Sequence, residues 1–120
     1  MAQPPFILLV EDDQQLRKII ARNLSVIGYS VLEADGYSKA VDQLAIKPDL
    51  VILDINLPDA SGWDVARWIE AAMSPIPIIV TSGIRASQRD MKHFEPKAFL
   101  SKPFGIRQLL ALVQEWAPVR

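Results

Sequence analysis

Five short apolar runs punctuate the chain, and between them apolar residues recur at helical spacing. Residues 6–10 (FILLV) and 50–53 (LVIL) are continuous runs, the pattern of strands buried on both faces of a parallel sheet. Residues 29–34 (YSVLEA) are less apolar and predict an edge strand. Residues 76–80 and 98–101 predict a fourth and a fifth strand. The intervening helices follow from the 3.6-residue period. Over residues 14–27, Leu16, Ile19, Ile20, Leu24 and Ile27 share a face, Gly28 is the stop, and Asp12 or Asp13 supplies the N-cap. Residues 36–46 place Ala40, Val41, Leu44 and Ala45 inward and end at Lys47 and Pro48. Residues 62–73 do the same with Val65, Ala66, Ile69, Ala72 and Met73, before Ser74, Pro75 and Pro77 break the chain. A polar stretch, 85–95, predicts a short helix with Met91 and Phe94 inward. A last helix over 105–116 packs Ile106, Leu109, Leu110 and Val113.

Strands alternating with helices predict an α/β fold, a doubly wound five-stranded parallel sheet with helices on both faces. Residues 1–5 form a short lead-in and 6–117 a single domain, which the length of 120 residues permits. Thirteen basic residues stand against fourteen acidic ones, a net charge of −1. With no basic block or basic helix face, direct nucleic-acid binding is not expected. The absence of cysteine excludes disulfides, thiolate metal sites and a cysteine nucleophile. No apolar run approaches the about 20 residues needed to span a bilayer. The start, MAQPPFILLV, has neither the charged region nor the cleavage site of a signal peptide. The expectation is a cytoplasmic domain without membrane insertion.

What changes the picture is where the runs stop. The first ends on Glu11, Asp12 and Asp13, the third on Asp54, the fourth on Thr81 and the fifth on Lys102. In open α/β sheets, ligands bind beyond the carboxyl ends of the strands. In the flavodoxin-like order 2-1-3-4-5, strands one, three, four and five are neighbours, so these groups converge on one pocket. Clustered carboxylates repel one another unless a cation compensates. Lys102 is one such cation; a hard divalent ion is another, and a set without cysteine or histidine favours Mg²⁺ or Mn²⁺ over Zn²⁺. A carboxylate beside a metal, a lysine and a hydroxyl is equipped to attack phosphorus and become an aspartyl phosphate.

Four motifs, LLVEDD at 8–13, LDINLPDASG at 53–62, IIVTSG at 78–83 and LSKPF at 100–104, carry a family resemblance. Over essentially its full length the chain resembles the receiver domain of two-component response regulators, of the CheY-like superfamily. The resemblance implies that Asp54 is the phosphoacceptor, served by a histidine kinase or histidine phosphotransfer protein. It implies that Glu11 and Asp12 hold Mg²⁺, Asp12 more directly, with Asp54 and the Asn56 backbone carbonyl as further ligands. Thr81 then follows the phosphoryl group, Lys102 contacts its oxygens, and Pro103 matches a proline that often follows a cis bond. The family's switch couples Thr81 to an aromatic that here is Phe99, which has no hydroxyl. The output face implied is the fourth helix, fifth strand and last helix, and a phosphorylation-dependent dimer is compatible with it. Glu95, Pro96 and Lys97 depart from the usual Gly-Ala pair, in a stretch about one residue short. With the chain ending at the last helix, no output domain is expected.

Other residues have plainer readings. Asp13 is a cap or solvated acid, Asp59 a turn residue, and His93 a surface residue. Trp63 and Trp68 flank the apolar face of the third helix, which predicts core-edge packing; an exposed Trp68 contacting a partner is the competing expectation. Trp116 carries the same two readings. Two other functional classes remain open at this point: a small Mg²⁺-dependent phosphotransferase or phosphatase, and a receiver-like scaffold that is never phosphorylated.

Overall fold

The computed structural model describes residues 3–73 and 75–119. Its five strands are β1 (Phe6–Val10), β2 (Ser30–Ala34), β3 (Leu50–Asp54), β4 (Ile78–Ser82) and β5 (Ala98–Ser101). All adjacent pairs are parallel and the order is β2-β1-β3-β4-β5. The α-helices are α1 (Gln14–Val26), α2 (Tyr37–Gln43), α3 (Gly62–Ala71), α4 (Gln88–Phe94) and α5 (Ile106–Trp116). Fold and strand order are those expected from the sequence.

Register decides which residues share a face. Ile7 pairs with Leu50, Leu9 with Ile52, Ile52 with Ile79, and Ile79 with Ala98. Partners across parallel strands point to the same side, and successive residues alternate. That face packs with Ile20 and Leu24 of α1 and with Leu109 and Val113 of α5. The opposite face, with Leu8, Val10, Val51, Leu53 and Val80, packs under α2, α3 and α4. The sheet is therefore covered on both sides; β1 and β3 are paired on both edges, and β1 and residues 50–53 of β3 are apolar.

The structure corrects several element boundaries and faces. The fourth strand begins at Ile78, because Pro77 has no amide to donate, and it runs on through Thr81 and Ser82. The second helix stops at Gln43 and tightens into a 3-10 turn, Leu44–Ile46, which Lys47 ends with a left-handed φ of 59°. The third helix ends at Ala71; Met73, at φ 55°, leaves the helical path and is exposed rather than inward. Ile19, expected on the buried face of α1, is 53% exposed. The fourth helix is only seven residues, Gln88–Phe94. Ser74, expected in the break after α3, lies outside the described residues, as do residues 1 and 2 of the lead-in.

Of the tryptophans, Trp63 is buried rather than flanking and stacks on Phe94 of α4, with ring centroids 5.4 Å apart. Trp68 is half exposed, and its indole N–H donates to the Tyr37 hydroxyl. Trp116 lies under the Lys97 ammonium, 5.0 Å from the ring centroid. His93 is exposed and pairs with Glu70.

Candidate functional site

The pleat that builds the first face carries on past the strand ends. Asp54 pairs in register with Thr81 and Thr81 with Leu100. Counting by two from Leu9, Ile52 and Leu100 reaches Glu11, Asp54 and Lys102, so the polar groups continue the apolar face at its carboxyl edge. Glu11, Asp54 and Thr81 are each at most 2% exposed.

The contacts are short. Lys102 Nζ lies 2.7 Å from Glu11 Oε1 and 3.1 Å from Asp54 Oδ2. The Asn56 amide donates to the other Asp54 oxygen, Oδ1, at 3.0 Å. The Asp13 amide donates to Glu11 Oε2 at 3.0 Å. Burial pushes the Glu11 carboxyl up to about 7; the Lys102 ammonium and the Asp13 amide pull against burial, and the Asp54 charge adds to it. Burial alone would lower the Lys102 ammonium, but its hydrogen bonds to Glu11 and Asp54 outweigh that and hold it above its ordinary value.

Glu11, Asp12 and Asp54 each offer a carboxylate oxygen, and these oxygens lie within 4.8 Å of one another. Glu11 and Asp54 are buried and Asp12 is exposed, so the trio opens to solvent on the Asp12 side. An all-oxygen set of this kind fits a hard divalent cation. Beside it a depression of about 460 Å³ is lined by Leu16 and Ile19 on α1 and by Lys102, Pro103 and Phe104. The Lys102–Pro103 bond is cis.

The loop after β3 is closed by local contacts. The Gly62 amide donates to the Ile55 carbonyl at 2.8 Å, and a side chain at Gly62 would collide with the Asp54 carbonyl oxygen, so only glycine fits. Ser61 caps α3 and Asp13 caps α1, the latter accepting from the Leu16 amide.

Phe99 is placed differently from the pocket groups. It pairs with Val80, one residue out of step with Thr81, and packs into the α2–α4 side of the sheet. Thr81 and Phe99 therefore belong to opposite faces.

Three residues at or near the site escaped the sequence reading. Arg17 donates from Nη1 to the Glu11 carbonyl at 2.9 Å. The Ser82 hydroxyl, fully buried, donates to Asn56 Oδ1 at 2.9 Å. Asp59, read as a turn residue, accepts from the Tyr37 and Ser38 amides at 2.8 and 3.2 Å and so ties the β3–α3 loop to α2. For Arg17 the one local signal was a basic residue in the opening turns of the helix that follows the acid pair.

The family profile of the response regulator receiver domain matches residues 7–114. The chain belongs to the response regulator receiver domain family. SilR of Salmonella typhimurium, a probable transcriptional regulatory protein, is 36% identical over 114 residues, which cover 90% of this chain and 49% of SilR. The receiver domain thus spans about half the length of the curated relatives it matches. The non-phosphorylated HemR receiver domain from Leptospira biflexa is 32% identical with a TM-score of 0.82, covering 92% of both chains. A Burkholderia pseudomallei response regulator, solved with a phosphorylated aspartic acid, a calcium ion and citrate, is 25% identical with a TM-score of 0.77. That match covers 89% of this chain and 65% of that one. Receiver domains of response regulators are regulatory, and they pair with histidine kinases or phosphotransfer proteins. Among the described residues, no helix of this receiver domain is long and apolar enough to cross a membrane.

Proposed function

We propose that this receiver domain is a phosphorylation-activated switch in which Asp54 accepts a phosphoryl group from a partner's phosphohistidine. The observation that carries this reading is the placement of Asp54, a buried carboxylate held between Lys102 and the open acid pair. An Asp54 Oδ attacks phosphorus in line; an O–P bond forms, the N–P bond of the phosphohistidine breaks, and the imidazole nitrogen leaves with the electron pair. Lys102 Nζ meets the charge on the transferring oxygens, and the Thr81 hydroxyl donates to one of them once it is on Asp54. The Asn56 amide orients the carboxylate through Oδ1.

Glu11, Asp12, Asp54 and the Asn56 carbonyl would hold Mg²⁺, or Mn²⁺ in its place, and the ion when bound neutralises phosphoryl charge. The calcium ion and phosphorylated aspartic acid of the Burkholderia relative support that assignment. The depression bounded by Ile19, Pro103 and Phe104 gives a phosphodonor a foothold beside the acid pair. Because Thr81 and Phe99 lie on opposite faces, their coupling runs through the backbone of β4 to the α4–β5–α5 face, where the downstream partner or a second phosphorylated copy would read it. No residue of this chain is assigned to nucleic-acid contact.

The test is incubation with Mg²⁺ and acetyl phosphate, followed by intact-mass measurement of wild type and Asp54→Ala. One phosphoryl group per chain, absent in Asp54→Ala, is the expected result. Catalytic turnover of an unrelated phosphate ester would favour a phosphotransferase or phosphatase, and no modification would favour an inert scaffold.

A further inference from the structure

The acid pair sits on a loop, and a loop holds a ligand geometry only as well as its backbone is held. Glu11 is gripped on both sides. Its amide donates to the Ala34 carbonyl of β2 at 3.0 Å, and its own carbonyl accepts from Arg17 Nη1 at 2.9 Å. The second contact matters for Asp12. The Glu11 carbonyl lies in the same rigid peptide plane as the Asp12 nitrogen and Cα, so fixing that oxygen fixes where the Asp12 side chain starts.

Arg17 is built for this task. Its side chain is only 13% exposed, and its Nε simultaneously pairs with Glu33 Oε1 at 3.1 Å. One planar fork thus spans the β1–α1 loop and the edge strand β2, while the Arg17 amide holds the Asp13 carbonyl at 2.9 Å. Lysine has no such rigid pair of donors. Lys18 also reaches Glu33, at 3.2 Å, so Glu33 keeps a cationic partner without Arg17. The Glu11 carbonyl has no such substitute among the contacts described. The guanidinium is thus held between Glu33 on one side and the Glu11 carbonyl on the other.

We propose that Arg17 is a positioning residue for the metal-binding acid pair, holding the Glu11–Asp12 peptide through its carbonyl oxygen. This rests on the reading of Glu11 and Asp12 as the metal site.

The experiment is calorimetric titration of the folded protein with Mg²⁺, alongside urea unfolding of each variant. Arg17→Met should weaken Mg²⁺ binding by about 10-fold, as loss of an outer partner of a metal site usually does. Arg17→Lys should lie between it and wild type. Glu33→Gln, which leaves a neutral acceptor for Arg17 Nε, should bind within about twofold of wild type, since the carbonyl contact survives. Phosphorylation of Arg17→Met by acetyl phosphate should return to the wild-type rate at saturating Mg²⁺, which a general loss of packing would not allow. If Arg17→Met is too unstable to titrate, Arg17→Lys decides by the same criterion. Wild-type affinity in the folded Arg17 variants, with Asp12→Ala abolishing binding, would overturn the positioning role alone. Mg²⁺ binding that is absent from wild type, or indifferent to Asp12→Ala, would overturn the metal-site reading and this proposal together.

Discussion

Asp59 shows how much a single carboxylate does when two amides face it. It accepts from the Tyr37 and Ser38 amides at the start of α2, and Gly36 lies so close that a Cβ there would come within 2.8 Å of Oδ1. Those two hydrogen bonds, Tyr37 first, hold its pKa below the ordinary value of 3.8. A carboxyl depressed in the folded state stabilises that state above its unfolded pKa, and the contribution is lost as pH falls through the folded pKa. The urea midpoint of wild type should therefore exceed that of Asp59→Asn at pH 7, with the gap closing as the pH is taken below about 4. A gap that stayed constant with pH would mean that the charge of Asp59 contributes nothing. From the sequence Asp59 was a turn residue, because its partners lie more than twenty positions away and no local pattern points at them.

Among the α-helices, α4 alone has no buried residue. Its attachment to α3 runs through a few side chains. Phe94 stacks on Trp63 and lies under the Arg67 guanidinium at 5.6 Å, while His93 pairs with the exposed Glu70. An exposed polar contact of this kind stabilises little, so the aromatic stack carries the attachment. An aromatic pair contributes about 0.5–1.5 kcal/mol beyond the area it buries. Phe94→Ala should accordingly raise amide hydrogen exchange in α4 by up to about 10-fold while leaving β1 and β3 unchanged. Equal effects in α4 and the central strands would show that the stack supports the whole fold instead. The sequence placed Phe94 inward correctly, but Trp63 was assigned to the edge of α3. The missing information was that α4 lies over that side of α3 and buries it.

For the molecule as a whole, the central consequence is that four strand ends share one face. Glu11, Asp54, Thr81 and Lys102 complete the layer under α1 and α5, so the acids are buried, yet Asp12 opens the site to solvent. Lys102 bridges two of the acids, at 2.7 and 3.1 Å. A cation that joins this site binds the folded chain and has no comparable site in the unfolded one. Mg²⁺ at a hundred times its dissociation constant should then raise the free energy of unfolding by about 2.7 kcal/mol. Urea unfolding at low and high Mg²⁺ measures this; Asp12→Ala should show no rise, and an equal rise in that variant would remove Asp12 from the site.

Local order along the chain was enough to predict the succession of strands and helices, the parallel sheet and the polar residues at the ends of the first, third, fourth and fifth strands. Apolar alternation and helical spacing are properties of neighbours in sequence, and the runs in β1 and β3 are too apolar for any place but a covered sheet. The convergence of Asp54 and Lys102, 48 positions apart, followed once the strand order was assumed. What needed the folded chain was register and side. Register puts Phe99 opposite Val80 and so parts it from Thr81. It also brings Glu33 of the edge strand to Arg17 and sets that guanidinium on the Glu11 carbonyl. Such contacts depend on how strands slide past one another and where each helix lands, and no periodicity within one segment encodes that.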